Sequence, residues 1–175
     1  GVFYGGLLGA LVAAVFFVKV RNVPFLAFAD AAAPAIAIGQ AIGRIGCLSA
    51  GCCWGARCEK PWAITFTDPL AGRNVGVPLN VPLHPTQIYE AVGLFLLAGL
   101  VLWFGRGRAP GRTFSLYLAG AALLRFTVEF VRDDPRGTVP GTSLSTSQGI
   151  ALALFALAVA ILLHGRRKAE SASGT

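Results

Sequence analysis

The chain has 175 residues, of which 55% are apolar and 13% charged, with a mean hydropathy of +0.66 and a formal net charge of +7. The apolar residues gather in blocks long enough to enter a bilayer, which excludes an ordinary soluble domain and points to one helical bundle. Nucleic-acid binding is excluded as well, because no basic run is interleaved with aromatic residues.

In chain order, apolar segments near residues 2–18, 25–47, 85–104, 113–131 and 147–163 predict an all-α polytopic membrane protein. These are about five transmembrane helices, each close to the roughly 20 residues that a hydrocarbon core needs. Residues 1–168 form the single bundle, with a sizeable external loop at about 48–83 and a polar, disordered tail at 169–175. In the first span Gly5 and Gly9 share a face, a pattern of close helix packing. The second span carries Asp30, Pro34, Gln40 and Arg44, so a kinked helix buried in the bundle is expected.

Basic residues orient the chain. Lys19 and Arg21, then Arg106, Arg108 and Arg112, then Arg166, Arg167 and Lys168 fall in short connections on one side, which the positive-inside rule makes cytoplasmic. The C-terminus is then internal, and the loops at 48–83 and 132–146 external. Arg132 and Arg136 count here as charges of the second external loop, beside Asp133 and Asp134.

With that orientation, Arg44 and Cys47, His84 to Glu90, and Arg125 with Glu129 all reach one membrane depth on the outer side. Snorkelling residues would scatter to both interfaces, whereas polar groups converging at one depth mark a site facing a water-filled cavity. Arg125 and Glu129 are spaced i, i+4 and can pair on one helical face, either simply neutralising each other or with Glu129 orienting Arg125 toward an anion. Arg44 has no carboxylate at i±3 or i±4, so its partner is a ligand phosphate or a group on another helix. His84 precedes Pro85 at a helix start near the interface, where the plain reading is a satisfied interfacial histidine. Glu90, well inside a span, needs a partner such as Gln87 or an arginine.

Cys47, Cys52, Cys53 and Cys58 follow C-x4-C-C-x4-C. In an oxidising external loop, disulfides are the first reading. A bridge between adjacent cysteines is geometrically poor, which favours two bridges that use Cys47 and Cys58. A zinc site is the second reading and a reactive thiol the third.

Several motifs together resemble one family. They are F-Y-G-G-L-L-G at Phe3 to Gly9, G-R-I-G at Gly43 to Gly46, W-G at Trp54 and Gly55, and H-P-T-Q-I-Y-E at His84 to Glu90. R-F-T-V-E-F-V-R at Arg125 to Arg132 and L-S-T-S-Q-G at Leu144 to Gly149 continue the series. In this order they resemble the phosphatidylglycerol:prolipoprotein diacylglyceryl transferases of bacterial plasma membranes. The resemblance implies about seven spans in the whole protein, each of roughly 20 residues. With Gly at position 1 and no Met, this chain reads as a fragment lacking about two N-terminal spans.

What the resemblance implies is transfer of a diacylglyceryl group from phosphatidylglycerol to the lipobox cysteine thiol of a prolipoprotein signal peptide, with no cofactor and no metal. The same resemblance places the protein in the bacterial inner membrane, with its active site facing outward. Arg44 and Arg125 match positions that handle the lipid head group, Glu129 matches their carboxylate partner, and Gly55, Gln87, Tyr89 and Glu90 lie in motifs of the substrate site. Where the family has His, this chain has Tyr4; where it has Asn it has Cys47 and Ala50; where it has an acid it has Cys52. Tyrosine, with a pKa near 10, is a weak base at neutral pH, so the resemblance leaves the base to Tyr4 or to a substitute such as His84. The alternative is a divergent paralogue that binds phospholipid without transfer and uses its cysteines in redox or metal chemistry.

Overall fold

The computed structural model describes residues 2–105, 109–133, 137, 141–142 and 144–173, with the side chains of 2–7 and 166–173 outside the description. Among the described residues six helices follow in order: α1 (Val2–Arg21), α2 (Phe25–Ala50), α3 (Pro69–Val75), α4 (Thr86–Phe104), α5 (Arg112–Glu129) and α6 (Thr146–Ser173). A two-stranded antiparallel hairpin, β1 (Ile64–Thr65) and β2 (Pro82–Leu83), lies between α2 and α4 and pairs Ile64 with Leu83. By length and composition α2, α4 and residues 146–165 of α6 can each cross a membrane. The chain is therefore an all-α polytopic membrane protein.

The core forms where α2, α4, α5 and α6 meet. Small residues let the backbones approach: α2 buries Ala29, Ala33, Ala37 and Ala41, one residue per turn, against α4. Ala33 and Ala37 join Leu97, Ala98, Val101, Tyr117, Leu118 and Ala158 in one cluster. Within this chain only that stripe of α2 is buried: Ile36, Ile38, Ile42 and Ile45 are exposed, so the chain itself does not enclose the helix as its polar residues suggested, and the helix continues unbroken past Pro34. The polar residues are satisfied along the packed side instead. Asp30 accepts the backbone N–H groups of Gly111 at 2.6 Å and Phe114 at 2.7 Å, capping α5 from a neighbouring helix, and Gln40 accepts the Tyr117 hydroxyl at 2.9 Å.

Among the described side chains, helix α1 meets α2 through a ring contact of Phe17 with Phe28 at 5.6 Å. A Cβ added at Gly9 would meet open space, so the close packing expected of the Gly5 and Gly9 face is not made at Gly9 within this chain. At the other end, α6 remains helical through Ser173, over much of the stretch expected to be a disordered tail; Lys168, Ala169 and Glu170 are good helix formers that extend an existing helix without a new nucleation cost.

The connection between α2 and α4 is a small folded cap. Trp54, Val77 and Leu83 form its own apolar cluster, flanked by Phe66, Ala71, Val75 and Leu79. Asp68 caps α3 by accepting the Leu70 N–H at 2.8 Å. The cap sits over the end of the bundle where α2 and α5 finish and α4 and α6 begin.

Candidate active site

Among the described residues, five charged side chains gather at that end of the bundle. Glu90, in the second turn of α4 and 3% exposed, forms ion pairs with Arg44 of α2 and Arg125 of α5. Arg132 approaches the same carboxylate at 3.4 Å. Arg125 also donates to Glu129 at 2.7 Å and to the Ser147 hydroxyl of α6 at 3.0 Å. Glu129 accepts from Ser145 at 2.6 Å and has Arg132 at 3.8 Å. Among the described side chains, α2, α4, α5 and α6 each place a residue in or beside one ion network. Charges this deep are tolerated because each is paired and hydrogen-bonded.

Of the two partners expected for Arg44, the structure shows the group on another helix: it is paired to Glu90 across the helix interface, where no local carboxylate stands on α2, and Glu90 takes arginines as its partners. Gln87 is not the partner of Glu90; its Nε2 donates to the Cys52 carbonyl at 2.7 Å, because one helical turn faces the cap and the next faces the bundle. Arg132, read in the sequence as a loop charge, has a side chain only 2% exposed. Its i, i+3 spacing from Glu129 and its place at the end of the Arg125 to Arg132 motif were the available signals. Ser145 and Ser147, within the L-S-T-S-Q-G motif, were likewise not singled out.

Backbone pairing explains how Arg132 arrives. Gly55 N–H donates to the His84 carbonyl at 3.2 Å and Ala56 N–H to Val131 at 2.9 Å, so the cap is stitched both to the start of α4 and to the chain leaving α5. A Cβ at Gly55 would lie 2.6 Å from the His84 Cβ and 2.7 Å from the Val131 carbonyl oxygen, which leaves room for hydrogen alone. The His84 ring lies beside the same stitch. Its Nδ1 is 3.1 Å from the Tyr89 hydroxyl, which accepts from Trp62 Nε1 at 2.8 Å. His84 and Tyr89 thus form a chain of their own, separate from the carboxylates. The Tyr4 side chain lies outside the described residues.

Below the ion network a cavity of about 280 Å³ opens between α2, α4, α5 and α6. Arg44, Glu90, Arg125 and Ser147 line its charged end, and Leu94, Leu118, Ile150 and Leu154 line the rest. The shape suits an amphiphile with an anionic head and an apolar tail.

None of the four cysteines is joined in a disulfide. The expected staple through Cys47 and Cys58 is not made: Cys58 is buried in the cap, its N–H held by the Pro82 carbonyl at 2.9 Å, while Cys47 lies in the last turn of α2. Cys47 lies instead with Cys52 and Cys53, the three sulfurs all within 4.8 Å of one another. The helix end causes this. Gly51 takes φ +72°, and Cys52 N–H bonds back to Cys47 O at 3.1 Å while Gly51 N–H bonds to Leu48 O at 3.1 Å, folding Cys52 over Cys47. Burial, then the neighbouring Cys53, push the Cys52 thiol up to about 12, so it keeps its proton at neutral pH when no cation is near.

A family model for prolipoprotein diacylglyceryl transferase matches residues 1–164. The chain belongs to this family. The phosphatidylglycerol–prolipoprotein diacylglyceryl transferase of Clostridium tetani is 42% identical over 153 residues, covering 86% of this chain and 58% of the relative. Transferase 2 of Clostridium perfringens is 39% identical over 176 residues, covering 99% and 65%, and the transferase of Nitratidesulfovibrio vulgaris is 40% identical over 173 residues, covering 96% and 62%. The chain thus spans about three fifths of the length of the diacylglyceryl transferases it matches.

Proposed function

We propose that the full-length protein transfers a diacylglyceryl group from phosphatidylglycerol to the lipobox cysteine of prolipoprotein signal peptides, at the outer face of a bacterial inner membrane with the C-terminus cytoplasmic. The observation that carries this reading is the cavity whose charged end holds Arg44 and Arg125 and whose remainder is apolar, in a chain of the diacylglyceryl transferase family. The phosphate enters beside the two guanidiniums while the acyl chains extend along Leu94 and Leu154. The acceptor thiolate attacks the glyceryl carbon; the new C–S bond forms as the C–O bond to phosphate breaks, and the electron pair leaves on the phosphate oxygen of glycerol phosphate. Negative charge grows on that oxygen, where guanidiniums already held in place by Glu90 and Glu129 lower the barrier. Gly55, Gln87 and Tyr89 keep the cap seated over the cavity. His84 and Tyr4 are the groups available to accept the thiol proton within the matched motifs.

The reading is tested by incubating a lipobox peptide with phosphatidylglycerol and the full-length protein in nanodiscs, then measuring peptide mass. A diacylglyceryl mass increase that disappears in Arg125→Gln is the expected result. Bound lipid with no mass increase, under conditions where the Clostridium tetani relative works, would overturn it.

A further inference from the structure

We propose that Cys47, Cys52 and Cys53 bind one zinc ion whose fourth position takes the acceptor thiol, an inference that rests on the transferase reading above. It differs from the metal-free site that the family resemblance implies. Three sulfurs already lie within 4.8 Å of one another. Tetrahedral zinc with Zn–S bonds of about 2.3 Å requires sulfur separations of about 3.8 Å, so closure asks for shifts of at most about 1 Å. Three protein ligands and one open position are the pattern of a catalytic zinc site, whereas a closed structural site takes four.

The backbone is built to aim these thiols together. Cys53 adopts φ +63°, a left-handed conformation unusual for a residue with a side chain. The bend is held from α4: Thr86 Oγ1 donates to the Cys53 carbonyl at 2.6 Å and Gln87 Nε2 to the Cys52 carbonyl at 2.7 Å. With the helix-end turn that lays Cys52 over Cys47, these contacts fix both members of the adjacent pair. A direct Cys52–Cys53 bridge is the disulfide that ordinary geometry disfavours, and any other bridge strands the third thiol. The three cysteines are only half-buried, leaving a face for a further ligand, while Cys58 is buried and outside the group.

Placement connects the group to the reaction. Arg44 Nη1 donates to Cys53 Sγ at 3.7 Å, and the same guanidinium pairs with Glu90 and lines the cavity. One arginine therefore separates the thiols from the charged end where the lipid phosphate would sit. A thiol that coordinates zinc gives up its proton to solvent and remains a nucleophile as thiolate. That is the task a base performs. The sulfur then attacks the glyceryl carbon as written above, the C–O electron pair leaving with glycerol phosphate, and the thioether product, a weaker ligand, is released from the metal.

The test uses the full-length protein purified in detergent without chelators and reconstituted in nanodiscs. Elemental analysis is expected to find about one zinc per chain, falling at least tenfold in the Cys47→Ser, Cys52→Ser, Cys53→Ser triple variant and unchanged in Cys58→Ser. Cobalt substitution of the wild-type protein supplies a second readout that needs no variant. The sulfur-to-metal charge-transfer band should strengthen by about a third when a lipobox Cys peptide adds a fourth thiolate, and not with the Ser peptide. Zinc at background in the wild type, or a disulfide among the three cysteines, overturns the proposal even if transfer proceeds. Full zinc occupancy in the wild type together with transfer intact in the zinc-free triple variant overturns the role of the metal in activating the thiol. Zinc and cobalt signals as expected, with no transfer by the wild type, support the site and overturn the transferase reading instead.

Discussion

Glu90→Gln isolates what the ion network contributes. The side chain keeps its shape but loses the charge that faces Arg44, Arg125 and Arg132, in a position 3% exposed. Glu129 remains to face Arg125 and Arg132, and Arg44 retains no carboxylate among the described residues. Removing one partner of a buried pair costs about 3–5 kcal/mol, and a single pair of charges ~4 Å apart at an effective dielectric of ~20 gives about the same figure. For chains of roughly this size, ~2–4 °C per kcal/mol converts the loss to about 6–20 °C in Tm. The assay is thermal unfolding of the full-length protein in detergent, with Glu59→Gln as the control, since its pair with Arg57 at 3.6 Å is exposed on both sides and should shift Tm by less than about 2 °C. Phosphatidylglycerol should recover part of the loss in Glu90→Gln, because its phosphate can replace the missing negative charge, and an uncharged lipid should not. A Tm within 2 °C of wild type, with or without lipid, would refute the view that Glu90 organises the three arginines.

Three further outcomes are expected. Arg44→Gln should weaken phosphatidylglycerol binding at least tenfold, with Arg44→Lys recovering only part of it because an ammonium cannot make the two parallel bonds of a guanidinium; equal binding in both variants would place the head group elsewhere. Gly55→Ala should destabilise the seating of the cap by about 1–3 kcal/mol, read as faster proteolysis within residues 51–83, since its Cβ would strike the His84 Cβ and the Val131 carbonyl. Asp30→Ala should lower Tm through loss of an N-terminal cap worth about 0.5–2 kcal/mol, while leaving lipid affinity unchanged because Asp30 lies at the opposite end of the bundle from Arg44.

The membrane class and the approximate helix spans were legible in the sequence because apolar block length is a local property that one bilayer thickness sets. So was the convergence of Arg44, Glu90, Arg125 and Glu129 on one end, since alternating helix directions fix which ends meet. Motif order carried the family. Who pairs with whom was a tertiary decision: Arg44 meets Glu90 only because the alanine face of α2 lets α4 approach, and Arg132 turns inward only because Gly55 and Ala56 bind the chain leaving α5. The cysteines show the same division. Spacing alone offered disulfide, zinc or free thiol, and the sorting into a cluster of three with Cys58 apart came from a left-handed Gly51 and from two side chains of α4 that hold the next carbonyls. Periodicity and composition act through neighbours along the chain, whereas the partner of a buried charge or thiol is whichever group long-range packing brings within a few ångströms.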